Sequence, residues 1–176
     1  APYFGSSIYV WGALITVFML ALSLGYLLGG RASLHAPSLR RLAAILCIAA
    51  LAMVPVVLFS EPLLDALSAR YSDPRLGSLL SATILFLVPT AISGMVSPYA
   101  VRLLVADRQR AGNDAGKLYF VSTFGSAAGT LLTSFYLVLY LEVNQILWVM
   151  LAISLVVGAI AALYPAPAGV ASPEPR

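Results

Sequence analysis

Few side chains in this chain could carry out acid–base or nucleophilic chemistry. The 176 residues include seven acidic residues, one histidine (His35) and one cysteine (Cys47). A single cysteine excludes an internal disulfide, a paired redox motif and a cysteine-based zinc site. The sequence also has none of the phosphate-binding glycine motifs, zinc-protease motifs or serine-hydrolase motifs. We therefore expect the chain by itself to catalyse no reaction and to bind neither a metal ion nor a cofactor.

The densest group of charges lies between positions 102 and 117. Its members are Arg102, Asp107, Arg108, Arg110, Asp114 and Lys117. Such a group is typical of a solvated loop, but Arg102 falls within an apolar run, one turn before the loop. A guanidinium at that depth is placed to pair with Asp107 or to bind a lipid phosphate. Arg31, which directly follows the first apolar run, joins Arg102 and Asp107 as a candidate for the same role.

The composition identifies the solvent around these residues. Hydrophobic residues make up 61% of the chain and charged residues 10%, against about 45–50% and 25% in soluble domains. A domain of this size cannot bury so much apolar surface, so part of its surface must face lipid. This excludes a soluble enzyme and a DNA-binding domain. The net charge of +3 does not indicate nucleic acid, because the basic residues lie between apolar runs.

Five apolar runs are long enough to cross a membrane, which takes about 20 residues of helix. The predicted spans are 8–30, 42–59, 79–96, 118–140 and 146–164. A β-barrel would show runs half as long that alternate in polarity. We therefore predict an all-α, polytopic helical membrane protein. Residues 1–164 form one transmembrane domain, and residues 165–176 form a disordered tail rich in proline and alanine.

The basic residues predict the orientation of the spans. Two predicted loops and the tail lie on one side and carry Arg31, Arg40, Arg41, Arg102, Arg108, Arg110, Lys117 and Arg176. The other side has only Arg70 and Arg75 as basic residues. Cytoplasmic loops carry the excess of Lys and Arg, so this asymmetry predicts a cytoplasmic C-terminus.

Two glycine pairs share one spacing. Gly25 and Gly29 lie four residues apart in the first span, and Gly125 and Gly129 do so in the fourth. Small residues on one helix face let two backbones approach closely in lipid. We predict that both pairs pack against other helices of the chain, so that Gly129→Leu lowers thermal stability. A dimer interface or a sliding surface in a transporter are the alternatives.

Three prolines mark positions where the predicted helices are interrupted. Pro55 and Pro89 lie within spans, and each removes a backbone donor and can kink its helix. Broken helices often line substrate sites in transporters. For the third span we predict an end near Val96, with Ser97 capping a short interfacial helix that begins at Pro98. A single long kinked helix is the alternative.

Several strings together resemble a known family: APYFGSS at 1–7, SLGY at 23–26, GGR at 29–31, GMVSP at 94–98 with Arg102, and STFGS at 122–126. In combination they resemble the membrane domain of bacterial fused spermidine synthase-like proteins, which is loosely grouped with major facilitator transporters. In that family another helix usually precedes the first string. The resemblance therefore implies six spans with both ends in the cytoplasm of the bacterial inner membrane.

The resemblance implies a non-catalytic membrane module that anchors or serves a polyamine-related partner. Family members often carry a cytoplasmic aminopropyltransferase domain, and this chain has no glycine motif that would hold its nucleoside-type donor. Any such activity would reside on another chain. The alternatives are an accessory structural subunit of a larger membrane complex and half of a facilitator-like transporter. The predicted partners are the lipid bilayer and either other membrane subunits or further copies of the chain.

Overall fold

The computed structural model describes residues 8–34, 37–71, 73–105 and 111–163. These residues form helices and short connections, with no strand in the described ranges. The α-helices are α1 (Ile8–Ala32), α2 (Leu39–Ala52), α3 (Val54–Arg70), α4 (Pro74–Gly94), α5 (Val96–Leu104), α6 (Ala111–Leu132), α7 (Val138–Tyr140) and α8 (Val143–Leu163), with one π-helical segment, Thr133–Leu137, between α6 and α7. The all-α prediction is confirmed. The predicted tail, residues 165–176, and Asp107 lie outside the described residues.

Five helical segments are long and apolar enough to cross a membrane, as predicted. They are Ile8–Ala32, Leu39–Arg70, Pro74–Leu104, Ala111–Tyr140 and Val143–Leu163. The second and third extend further than expected, to 32 and 31 residues. At about 1.5 Å per residue each is longer than a 30 Å hydrocarbon core. Their additional turns include Arg70 and Pro74, which lie outside the predicted spans 42–59 and 79–96.

The third span is interrupted one residue earlier than predicted. α4 ends at Gly94 and α5 begins at Val96, with Met95 between them still in a right-handed helical conformation (φ −65°, ψ −23°). Ser97 lies within α5 and caps no helix, so that prediction was wrong. Pro98 has no N–H to bond the Gly94 carbonyl. The Met95 N–H bonds Ile92 O, three residues back, at 3.1 Å. The alternative, a long helix with a kink, describes this span better.

One parallel and one antiparallel helix pair form the packed body of the chain. α1 lies along α4 and α5, and α2 lies along α8. The face that α1 buries has small residues at every fourth position, namely Ala13, Val17, Ala21, Gly25 and Gly29. α4 presents Ser81, Ala82 and Gly94 among its buried residues. The interior is therefore built by close backbone approach, the mode that stabilises helix pairs where lipid removes the hydrophobic driving force.

The fourth span stands apart from this body. Within Ala111–Leu132 and Thr133–Tyr140 no residue is buried. α6 contacts α5, the helix that precedes it in the chain. Four of the five spans thus form a packed unit, and the fourth projects from it with nearly its whole surface uncovered.

Candidate functional site

The first glycine pair lies at the closest backbone contact described in the chain. A Cβ added to Gly29 would lie 2.5 Å from Met95 O and 2.6 Å from Met95 Cα. At Gly25 it would meet the Ala91 carbonyl oxygen and lie 2.9 Å from Gly94 Cα. Real Cβ atoms do not approach other atoms so closely, so these two glycines let α1 rest directly on the end of α4. The structure thus places Gly25 and Gly29 in a contact between helices.

The second glycine pair lies in open space. A Cβ added to Gly125 or Gly129 would meet no atom within 4 Å in the described part of the chain. The prediction that this pair packs within the chain is therefore corrected. Position in the fold explains the difference: α6 leaves the body after α5 and does not return along another helix. The two alternatives for this face, a dimer interface and a sliding surface in a transporter, stay predictions.

The fourth span is also the least apolar of the five. Its best 18-residue window has a mean hydropathy of 1.2, against 2.0 to 2.9 for the others. Small and hydroxyl side chains share one face of the helix: Ser122, Thr123, Ser126, Gly129, Thr130 and Thr133. Phe120, Phe124 and Phe135 lie on the opposite face, where the first two rings stack at 6.1 Å. We call the first of these the small-polar face of span four.

The small-polar face ends in a segment that the sequence did not predict. Residues Thr133–Leu137 form a π-helix, a rare widening of the helix that is frequent at functional sites. The Thr130 hydroxyl donates to Ser126 O at 2.8 Å, one turn before it. No residue type in this segment indicates a π-helix, so it could not be predicted from the sequence.

The predicted kink prolines lie in different settings. Pro55 follows an interruption at Met53, whose N–H bonds Ala50 O at 3.0 Å, three residues back. α4 runs on through Pro89, which is buried in the helix interior. The Ser93 hydroxyl donates to Pro89 O at 2.8 Å. The second and third spans are thus interrupted at Met53 and Met95, near Pro55 and Pro98.

A cavity of about 390 Å³ lies beside both interruptions. α2 contributes Ala49, Ala50 and Met53 to its lining, and the α4–α5 junction contributes Ser93 and Val96. The third wall is the part of α8 from Leu147 to Ser154. Broken helices often line substrate sites in transporters, but no local sequence signal located this cavity, because the pairing of α2 with α8 brings together residues about 100 positions apart.

The basic residues gather at one end of the packed body, which we call the basic end. Arg31 closes α1, Arg102 lies in the last turn of α5, and both are exposed. α1 contacts α5, so the two guanidinium groups belong to neighbouring helix ends. The proposed partner of Arg102, Asp107, lies outside the described residues, so that pairing stays a prediction.

A buried tyrosine links α5 to the start of α2 at the basic end. Tyr99 of α5 has 1% of its surface exposed. Its hydroxyl oxygen accepts a hydrogen bond from the backbone N–H of Ser38 at 3.2 Å. Ser38 is the N-cap of α2, and its own hydroxyl oxygen accepts from the Arg41 N–H at 3.3 Å. The start of the second span is therefore fixed to the end of the third.

At the end of the packed body opposite the basic end, an arginine of α4 contacts α1. The Arg75 guanidinium donates to the Tyr9 hydroxyl at 2.8 Å and lies 4.3 Å from the centre of that ring. The carboxylate of Asp73, the N-cap of α4, accepts from the Arg75 N–H at 2.9 Å. Tyr9 therefore joins α1 to α4.

The described residues contain no group of three or more His, Cys, Asp or Glu side chains that could hold a metal ion. Comparison with protein-family models, with curated proteins and with solved structures finds no match to this chain. The resemblance to spermidine synthase-like membrane domains therefore stays a prediction.

Proposed function

We propose that this chain is a non-catalytic integral membrane module that works by docking another membrane protein against its fourth span. The observation that carries the proposal is the absence of any buried residue along Ala111–Tyr140, in the span with the lowest hydropathy. Hydroxyl groups and glycines on a helix that faces only lipid make no stabilising contacts outside their own helix. Against another helix they allow close approach and interhelical hydrogen bonds, each contributing about 0.6–2 kcal/mol.

The identity of the docked protein rests on the sequence. The resemblance implies a polyamine-related partner, such as a chain that carries a cytoplasmic aminopropyltransferase domain. The basic end would then face the bacterial cytoplasm, where Arg31 and Arg102 are placed to bind lipid phosphates. A second copy of the chain on the same face, as in a homo-oligomer or a pair of transporter halves, is the competing arrangement.

Native purification in a mild detergent tests the docking. We expect a membrane protein to co-purify with the parent chain and to be lost from Gly129→Leu, since leucine would hold the partner's backbone away. Gly12→Leu is the matched control, because a Cβ at Gly12 also meets nothing within 4 Å but lies on α1. Retention of the partner by Gly129→Leu would exclude the small-polar face as the docking site. Recovery of the chain alone as a dimer would favour the competing arrangement.

Two further measurements test the rest of the proposal. The purified chain should show no aminopropyl transfer from decarboxylated S-adenosylmethionine to putrescine, and turnover that persists without co-purifying proteins would contradict a non-catalytic role. For orientation, Ser38→Cys in a Cys47→Ser background should react with an impermeant maleimide from the cytoplasmic side. Reaction from the outside only would invert the topology.

A further inference from the structure

The lining residues of the cavity between α2, the α4–α5 junction and α8 give its distance from the basic end of the packed body. Averaged over each wall, its lining residues lie about 10–13 residues from the ends of α2, α5 and α8 at the basic end, which is about 14–19 Å along the helices. The hydrocarbon core is about 30 Å thick. All three walls therefore place the cavity near the middle of the membrane, where discontinuous helices in transporters often form binding sites.

The chemistry of the lining is apolar. The two polar side chains among the lining residues are Ser93 and Ser154, and both hydroxyl protons are already donated within their own helices. The acceptors are Pro89 O at 2.8 Å and Met150 O at 2.9 Å. No charged side chain lines the cavity. A polyamine would leave its charges unpaired here, and water would lack the two to four polar partners that it needs in a buried site.

The shape and opening of the cavity favour a long apolar chain. Its volume of about 390 Å³ is at the lower end of the range of ligand pockets. Met150, 46% exposed, lies at its rim, so the cavity opens sideways toward lipid. Met53 and Met150 are unbranched and adapt to an irregular occupant. We propose that this cavity binds one acyl chain of a membrane phospholipid, independently of what docks on span four.

A photoreactive lipid tests the proposal. The purified chain is reconstituted into vesicles of phosphatidylethanolamine and phosphatidylglycerol that contain a phospholipid with a diazirine near the end of one acyl chain. After irradiation, mass spectrometry locates the adducts. We expect adducts to concentrate on Met53, Val96 and Met150, and to exceed those on Ile153, which is exposed on α8 and does not line the cavity.

Variants separate a bound chain from the lipid that coats any membrane helix. Ala50→Phe and the milder Ser154→Leu fill the cavity and should remove the adducts at Met53. Leu51→Phe is the matched control, because Leu51 is 57% exposed and its change should leave them in place. Adducts spread evenly over Met150 and Ile153, or unchanged by both filling variants, would overturn the proposal. So would labelling by a photoreactive isoprenoid but not by the phospholipid.

Discussion

The two glycine pairs have the same spacing and opposite surroundings. Gly29 lies so close to Met95 that an added Cβ would lie 2.5 Å from its carbonyl oxygen, whereas one added at Gly129 would meet nothing within 4 Å. The difference lies in what faces each pair. Gly94 and the interruption at Met95 bring a bare backbone to α1, and α6 has no such neighbour. Glycine spacing therefore shows that a close approach is possible, and the rest of the fold decides whether the chain itself makes it.

The regions around the two pairs differ in the same way. α1 is joined to α4–α5 at two levels, by Tyr9 with Arg75 and by the glycine contact, and Tyr99 with Ser38 joins α5 to the start of α2. Span four has residues of the same types without such contacts: Tyr119 and Lys117 are exposed, and an added Cβ at Gly129 meets no atom within 4 Å. Each counterpart serves as a matched control for one connection in the packed region.

Gly29→Ala should have the largest effect on stability. The new methyl group would collide with the Met95 backbone, which cannot move aside as a flexible side chain would. Overpacking of this kind costs about 1–3 kcal/mol. The free energy of unfolding, measured by titrating mixed micelles with a denaturing detergent, should fall by that amount.

The control for Gly29→Ala is its neighbour Gly30→Ala, where an added Cβ meets nothing within 4 Å. Both changes alter helix propensity equally, so the difference between them isolates the collision. Equal stability of the two variants would show that α1 does not rest on the α4–α5 junction.

Tyr99→Phe should have the next largest effect. The change removes the acceptor for the Ser38 N–H and leaves the ring in place, so the expected loss is about 1 kcal/mol, that of a single partly buried hydrogen bond. Tyr119→Phe on α6, where the ring is 54% exposed, should leave the free energy of unfolding unchanged. A loss of the same size at Tyr119 would mean that span four is held by contacts within the chain.

The sequence predicted the helical class, the number of spans and the Gly25–Gly29 contact for one reason. Each follows from local composition and from small residues on one helix face, and the structure places those residues as expected. Local pattern could not tell that span four would leave the body, because its glycines have the same spacing as those of α1. Nor could it place the midplane cavity, which depends on α2 meeting α8.

The helix interruption caused by Pro98 was predicted at the wrong residue. Proline favours the first turn of a helix, which led to an expected cap at Ser97. The missing N–H acts four residues earlier, on the Gly94 carbonyl, and the interruption is at Met95. Pro55 likewise leaves the Leu51 carbonyl without its helical N–H partner, and the second span is interrupted at Met53, two residues ahead of Pro55.

Arg75→Gln should have a smaller effect than Tyr99→Phe. It removes the charge above the Tyr9 ring, a contact at an exposed site that contributes about 0.5–1 kcal/mol. The loss should shrink at high salt in proportion to its electrostatic part. Lys117→Gln in α6 is the control and should change the free energy of unfolding little. If both variants lose the same stability, the effect is one of net charge and the contact between Arg75 and Tyr9 is not its source.

Gly129→Ala should have the smallest effect, and of the opposite sign to that of Gly29→Ala. A methyl group at Gly129 meets no atom within 4 Å, so it brings no collision, and alanine favours a helix over glycine by up to about 1 kcal/mol in water. The isolated chain should be as stable as the parent or slightly more so. In the docked complex the sign should reverse, because the methyl group would then lie between two closely packed backbones. Unfolding measured with and without the co-purified partner distinguishes the two cases, and destabilisation of the isolated chain would place Gly129 against another helix of its own chain.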